Sequence, residues 1–161
     1  MTAIVVEQRV HITRPPGDLF TWLCRPGSFA SLQPLVEAVH IDEVTESSVV
    51  FRAIELVDLG LGVRARNVLH VVQRHDDPQR RVVSSATRVE APWWLRWLPE
   101  ITAHQVLTLD EVDGGTQVTD RFELHGAHPW VRTFVEATAN DAHAAMMGRL
   151  KAAVEGGPRF T

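Results

Sequence analysis

The sequence predicts an α+β fold: one antiparallel sheet of seven strands, two short helices after the first strand, and a long helix near the C-terminus. Three observations carry that expectation. Stretches of alternating polarity, separated by turn residues, recur from Ile4 to Leu124. Between the first stretch and the second, Pro15-Pro16-Gly17 and Pro26-Gly27 break the pattern and leave room for two short helices. After Pro129 the alternation stops, and about seven turns of alanine-rich helix formers follow.

The first strand runs from Ile4 to Thr13, with Val6, Val10 and Ile12 on one face. Arg14-Pro15-Pro16-Gly17-Asp18 breaks it, and Asp18 is placed to cap a short helix through Cys24 that buries Leu19, Phe20 and Leu23. Arg25-Pro26-Gly27-Ser28 ends that helix, and Ser28 starts another before Pro34. Strands are predicted over Val36–Val44, Ser48–Val57, Gly62–Arg74 and Arg81–Val89, with Asp76-Asp77-Pro78 as a hairpin turn. Two more, Ala103–Val112 and Thr116–Leu124, are joined by Asp113-Gly114-Gly115. The last helix starts at Pro129 and stops at Gly156-Gly157-Pro158. At 100° per residue, Val131, Val135, Ala139, Ala142, Met146, Leu150 and Ala153 share one side. Glu136, Asn140, Asp141, Lys151 and Glu155 lie mostly off it. An antiparallel sheet is the surface broad enough to receive that side.

The chain, residues 1–161, reads as a single domain without repeat, linker or low-complexity tract. Its 45% hydrophobic and 22% charged content is that of a globular protein. A net charge of -4 argues against a sequence-independent nucleic-acid partner, which needs a basic face. Lys151 is the only lysine, an arginine bias in keeping with a GC-rich, bacterial genome. With Cys24 as the sole cysteine, no intrachain disulfide or thiolate metal cluster forms. No apolar run reaches the roughly 20 residues that span a bilayer, and Met1–Val6 lacks the layout of a signal peptide, so a cytoplasmic location is expected.

The order strand, two short helices, six strands, long helix is distinctive. Together with PPGDLFTWLCRPGSFASLQPLV near the start and LTLDEVDGGTQVTDRFEL before the final helix, it resembles the SRPBCC superfamily over nearly the whole chain. These are the START-like, Bet v 1-like proteins, which include polyketide cyclase/dehydrase-type members. The resemblance implies a helix-grip fold, in which a curved sheet wraps round the long helix and leaves a cavity between them. It also implies a hydrophobic small-molecule ligand; an acyl-carrier protein or a second copy of the chain is instead the partner that an exposed tryptophan segment, Trp93 to Trp97, would take. Many members carry a tryptophan just before the proline of the second short helix. Here Gln33 stands there, so the cavity mouth is expected to be more polar.

Polar residues that interrupt an inward-facing apolar row are the candidates for chemistry, since such pockets orient ligands with a few polar groups. Asp120 shares a strand face with Val118, Phe122 and Leu124. A carboxylate buried there finds a partner or shifts its titration, which would suit a general acid or base. The structural alternative is an ion pair with Arg52, Arg64 or Arg66. His143, one turn from Ala139, Met146 and Met147, is the second catalytic candidate, or else a hydrogen-bonded boundary residue. Asn67 and Gln8 would bind a ligand's oxygens or satisfy backbone groups. Arg52, Phe122 and Met146 complete the ligand-binding candidates; whether Arg52 or Glu55 points inward is left open, because both faces of their strand are partly apolar.

No cofactor or metal is expected. His125, His128 and His104 lack a second ligand at helical spacing, and Gly60-Leu61-Gly62 lacks the third glycine of a nucleotide loop. The remaining feature is Ala91-Pro92-Trp93-Trp94-Leu95-Arg96-Trp97-Leu98-Pro99, an aromatic segment where connections are usually polar. Trp93, Trp94 and Trp97 are candidates for a lid on the ligand, a core plug or a partner surface. Membrane insertion is disfavoured, because only Arg88 and Arg96 stand near. Two function classes remain: an acid/base enzyme of the cyclase/dehydrase type, and a non-catalytic carrier or sensor of a lipid-like ligand. A small protein-interaction module is a third.

Overall fold

In a computed structural model that describes residues 3–60, 62–90 and 100–156, alternation and turn chemistry resolve into one seven-stranded sheet. The elements are β1 (Ile4–Ile12), α1 (Pro16–Leu23), α2 (Ser28–Leu32), β2 (Val36–Val44), β3 (Ser48–Gly60), β4 (Val63–Arg74), β5 (Val82–Glu90), β6 (Thr102–Val112) and β7 (Gly115–His125). A 3-10 turn over Pro129–Val131 leads into α3 (Arg132–Gly156). Spatial order is β1-β7-β6-β5-β4-β3-β2, and every neighbouring pair is antiparallel. The crossover from β1 to β2 carries α1 and α2 from one edge of the sheet to the other. This is the helix-grip arrangement that the order of elements implied.

Local chemistry accounts for the boundaries. Asp18 is not the cap of α1; Pro15 holds that position and Asp18 lies in the first turn. Pro16 at the first helical position has its φ already set for a helix, so the helix begins earlier. At the β4–β5 hairpin, Asp77 accepts from the backbone amides of Arg81 at 2.6 Å and Val82 at 3.0 Å. These bonds hold its carboxyl below the usual range. The β6–β7 turn places Gly114 at φ +80, and a Cβ on Gly115 would sit 2.0 Å from Ile12 O of β1. Only glycine lets the three strands meet there. Register shifts on β2 and at the end of β3 mark bulges, which bend a sheet.

The long helix divides in two. Its C-terminal half buries Met146, Met147, Leu150 and Val154 against a core that includes Ile12, Leu19, Leu107 and Leu109. Ala153, expected on the buried side, is exposed, and Val154 takes its place by continuing the four-residue spacing from Leu150. Along the N-terminal half, Val135, Ala139 and Ala142 are only partly buried. They face open space above the sheet.

Candidate functional site

That space is a cavity of about 470 Å³ between the N-terminal half of α3 and β3 to β7, closed at one side by Phe29 and the Gln33–Val36 segment. Most of its wall is apolar: Phe51, Ala53, Leu69, Val71, Val89 and Leu124 are typical. Alternation puts them there, because residues two apart on a strand share a face. A separate groove between β1 and α3, lined by Val5, Glu7, Thr133 and Glu136, is more open to solvent.

One polar cluster interrupts the apolar wall. The carboxylate of Asp120, 1% exposed, lies 2.5 Å from Nδ1 of His143 and accepts from Nε2 of Gln105 at 2.8 Å. Both oxygens are acceptors, so the proton of the shared bond belongs to Nδ1 of the imidazole. Gln105 Nε2 also lies 3.4 Å from Nδ1, but two donors face each other there and no bond forms. With the proton fixed on Nδ1, the neutral form of the imidazole carries its lone pair on Nε2. Among the described residues no group bonds to that nitrogen, and His143 belongs to the cavity wall. Phe122 packs on the imidazole with ring centroids 4.3 Å apart. Met146 Sδ lies within reach of the amides of both Gln105 at 3.3 Å and Gln33 at 3.2 Å.

The expected residues divide by position. His143, Asn67 and Phe122 line the cavity. Asp120 does not: it lies behind His143, and its partners are His143 and Gln105 rather than Arg52, Arg64 or Arg66. The ion-pair alternative with those arginines is therefore corrected, and so is direct ligand contact by Asp120. Arg52 is likewise corrected. It points away from the cavity and holds Asp42 in a two-pronged bond, Nη2 to Oδ1 at 2.9 Å and Nε to Oδ2 at 3.0 Å. Gln8 faces inward from β1 beside Asp120, yet its amide reaches Asn140 at 2.8 Å instead of the cavity. Met146 is fully buried in the core beneath the site. Trp93, Trp94 and Trp97 lie outside the described residues.

Sequence reasoning misses one wall residue, Gln105, and leaves a second, Glu55, undecided. Gln105 sits among Ala103, Leu107 and Leu109 on one face of β6, the same polar break in an apolar row that singles out Asp120. Glu55 shares the inward face of β3 with Phe51, Ala53 and Val57. Its cross-strand partner in the β3–β4 hairpin is Asn67. Asn67 reads as inward, so the hairpin register is the signal that resolves Glu55 from Arg52. Burial pushes the Glu55 carboxyl above its usual range, while the contact with Asn67 and the nearby His143 pull the other way.

No protein-family model matches the chain, and no curated protein matches its sequence. Solved structures do match it in shape. TTHA0849 from Thermus thermophilus is 12% identical with a TM-score of 0.68, over 94% of this chain and 97% of that one. The Zhui aromatase/cyclase from Streptomyces sp. R1128 is 19% identical, TM-score 0.67, over 98% and 100%. The di-domain ARO/CYC BexL from the BE-7585A biosynthetic pathway is 17% identical, TM-score 0.66, over 97% of this chain and 51% of that one. The chain thus spans about half the length of that di-domain protein. At such identities the likeness is one of fold alone: an antiparallel sheet wrapped round a long C-terminal helix, with two short helices after the first strand.

Proposed function

We propose that the protein binds a hydrophobic small molecule, of polyketide, aromatic or lipid-like kind, in the cavity and acts on it by acid/base chemistry of the cyclase/dehydrase type. The observation that carries this reading is the His143 imidazole. It is held by Asp120 through Nδ1, packed by Phe122, and set in an apolar wall with Nε2 unengaged among the described residues. A base so placed takes a proton from a carbon acid held against the wall and returns it later in ring closure or loss of water. Asp120 is a positioning residue: it fixes which nitrogen is the base and how the ring is turned. The polyketide character of the ligand is suggested by the aromatase/cyclases that share the fold.

The test is ring closure of a linear poly-β-ketone thioester, followed by chromatography of the products. The wild type should outpace the uncatalysed reaction, and His143→Ala should lower the rate by about 10²–10⁴-fold. Equal rates for the two proteins would remove His143 from the chemistry. The carrier reading draws on the largely apolar remainder of the wall. It predicts that the thioester or a fatty acid is bound, seen by native mass spectrometry, and released unchanged.

A further inference from the structure

Glu55 and His143 are the two titratable side chains among the described residues of the cavity wall. They come from opposite sides, Glu55 from β3 in the sheet and His143 from α3 above it. Each is incompletely engaged. His143 uses only Nδ1, and Glu55 has one partner, Nδ2 of Asn67, which approaches Oε2 at 3.5 Å, the long limit of a hydrogen bond. No bond to Oε1 is formed among the described residues. A carboxyl in an apolar wall with so weak a partner is costly to keep charged, because desolvation is uncompensated. It therefore stands ready to donate a hydrogen bond as the neutral acid. Burial raises the carboxyl, in the same sense.

We propose that Glu55 is a second ligand-touching group of this site, donating its carboxyl proton to a ligand oxygen while His143 takes a proton from the neighbouring carbon, so that the cavity selects enolisable ketones. This rests on the acid/base reading of His143. The step balances. Nε2 of His143 takes the proton from the carbon beside the carbonyl, and the electrons of that C–H bond form the new C=C bond. The π pair of the C=O bond moves onto oxygen, which takes the Glu55 proton. The enol forms, leaving an imidazolium and a carboxylate that exchange protons with water to reset. Asn67 positions the carboxyl from the adjacent strand.

The experiment uses α-tetralone, an enolisable aromatic ketone, and tetralin, its counterpart without the carbonyl. Affinity for each is read from ligand NMR titrations. Exchange of the protons beside the tetralone carbonyl is followed in D₂O. Wild type should bind the ketone more tightly than tetralin and speed its exchange. Glu55→Gln keeps a hydrogen-bond donor but has no acidic proton. It should bind the ketone within about threefold of wild type while exchange falls about 10²-fold or more. Glu55→Leu should also lose the preference for ketone over tetralin, by roughly tenfold, the worth of one hydrogen bond. His143→Gln should lose exchange but keep the preference. If exchange depends on His143 while both Glu55 variants behave as wild type, the role of Glu55 is overturned and the site reading stands. If wild type binds neither probe, the cavity reading itself fails. Binding without exchange in wild type overturns the acid/base reading of His143, and proton donation by Glu55 with it.

Discussion

Asp120 and Phe122, two residues apart on one face of β7, both act on the same imidazole: the first bonds Nδ1 of His143 at 2.5 Å, the second packs on its ring at 4.3 Å between centroids. A single strand thus sets the position, the tilt and the protonated nitrogen of a side chain that belongs to α3. The strand supplies orientation and the helix carries the imidazole.

It follows that Asp120→Asn should leave His143 in place but free it to carry its proton on either nitrogen. Nitrogen-15 NMR of the imidazole should show a mixture of tautomers where the wild type shows one. Any proton transfer dependent on His143 should slow by about 10²-fold or more. A single, unchanged tautomer in the variant would defeat this account. Asp120→Ala is harsher. It leaves Gln105 and His143 buried without their acceptor, and should cost about 1–3 kcal/mol in urea denaturation.

Core and cavity should respond differently to the same truncation. Leu107 is fully buried in the packed half, so Leu107→Ala should cost about 2–5 kcal/mol. Leu69 borders the cavity, and Leu69→Ala only enlarges a space already open. Its cost should stay near roughly 1–2 kcal/mol, the transfer contribution alone. Equal losses in denaturant titrations would mean that the space is filled in solution.

Bulk on the helix should close the cavity. Ala139 faces it from α3, so Ala139→Phe should weaken binding of a hydrophobic fluorescent probe by at least about tenfold. Stability should hold or rise, because the new ring fills space rather than displacing packed atoms. A probe that binds both proteins equally is bound elsewhere.

The pH dependence of stability should carry the mark of Glu55. Its carboxyl is raised in the folded protein, so the folded state binds the proton more tightly than the unfolded one. The favourable contribution is complete below the unfolded value, about 4.3 for a glutamate, and is lost as pH rises through the folded value. Glu55→Gln should therefore gain stability relative to wild type above that window, and the gain should shrink as the pH is lowered. Denaturation midpoints of the two proteins between mildly acid and neutral pH provide the check.

Alternation and turn chemistry make the seven strands and the crossover legible, since each rests on neighbours in the chain. Positions that depend on pairing are harder. Glu55 and Arg52 look alike on a strand with two half-apolar faces, and only the register with β4 separates them. Asp120 reads as inward, and it is. That its partner is a histidine from α3 instead of an arginine from a neighbouring strand is a matter of how the helix lies across the sheet. No local pattern encodes that. Ala153 and Val154 differ by one step of the helix, less than a periodicity argument resolves.

The division of α3 into a packed half and an open half has a thermodynamic corollary. Where Met146 and Leu150 meet the sheet, the protein completes its own interior. Beside Ala142 the interior stays open, and under the proposed function a guest molecule would complete it. Occupancy and folding are then linked. A ligand at a hundred times its dissociation constant adds about 2.7 kcal/mol to the folded state. A rise in the melting temperature of the unmodified protein would thereby report any compound that enters the cavity.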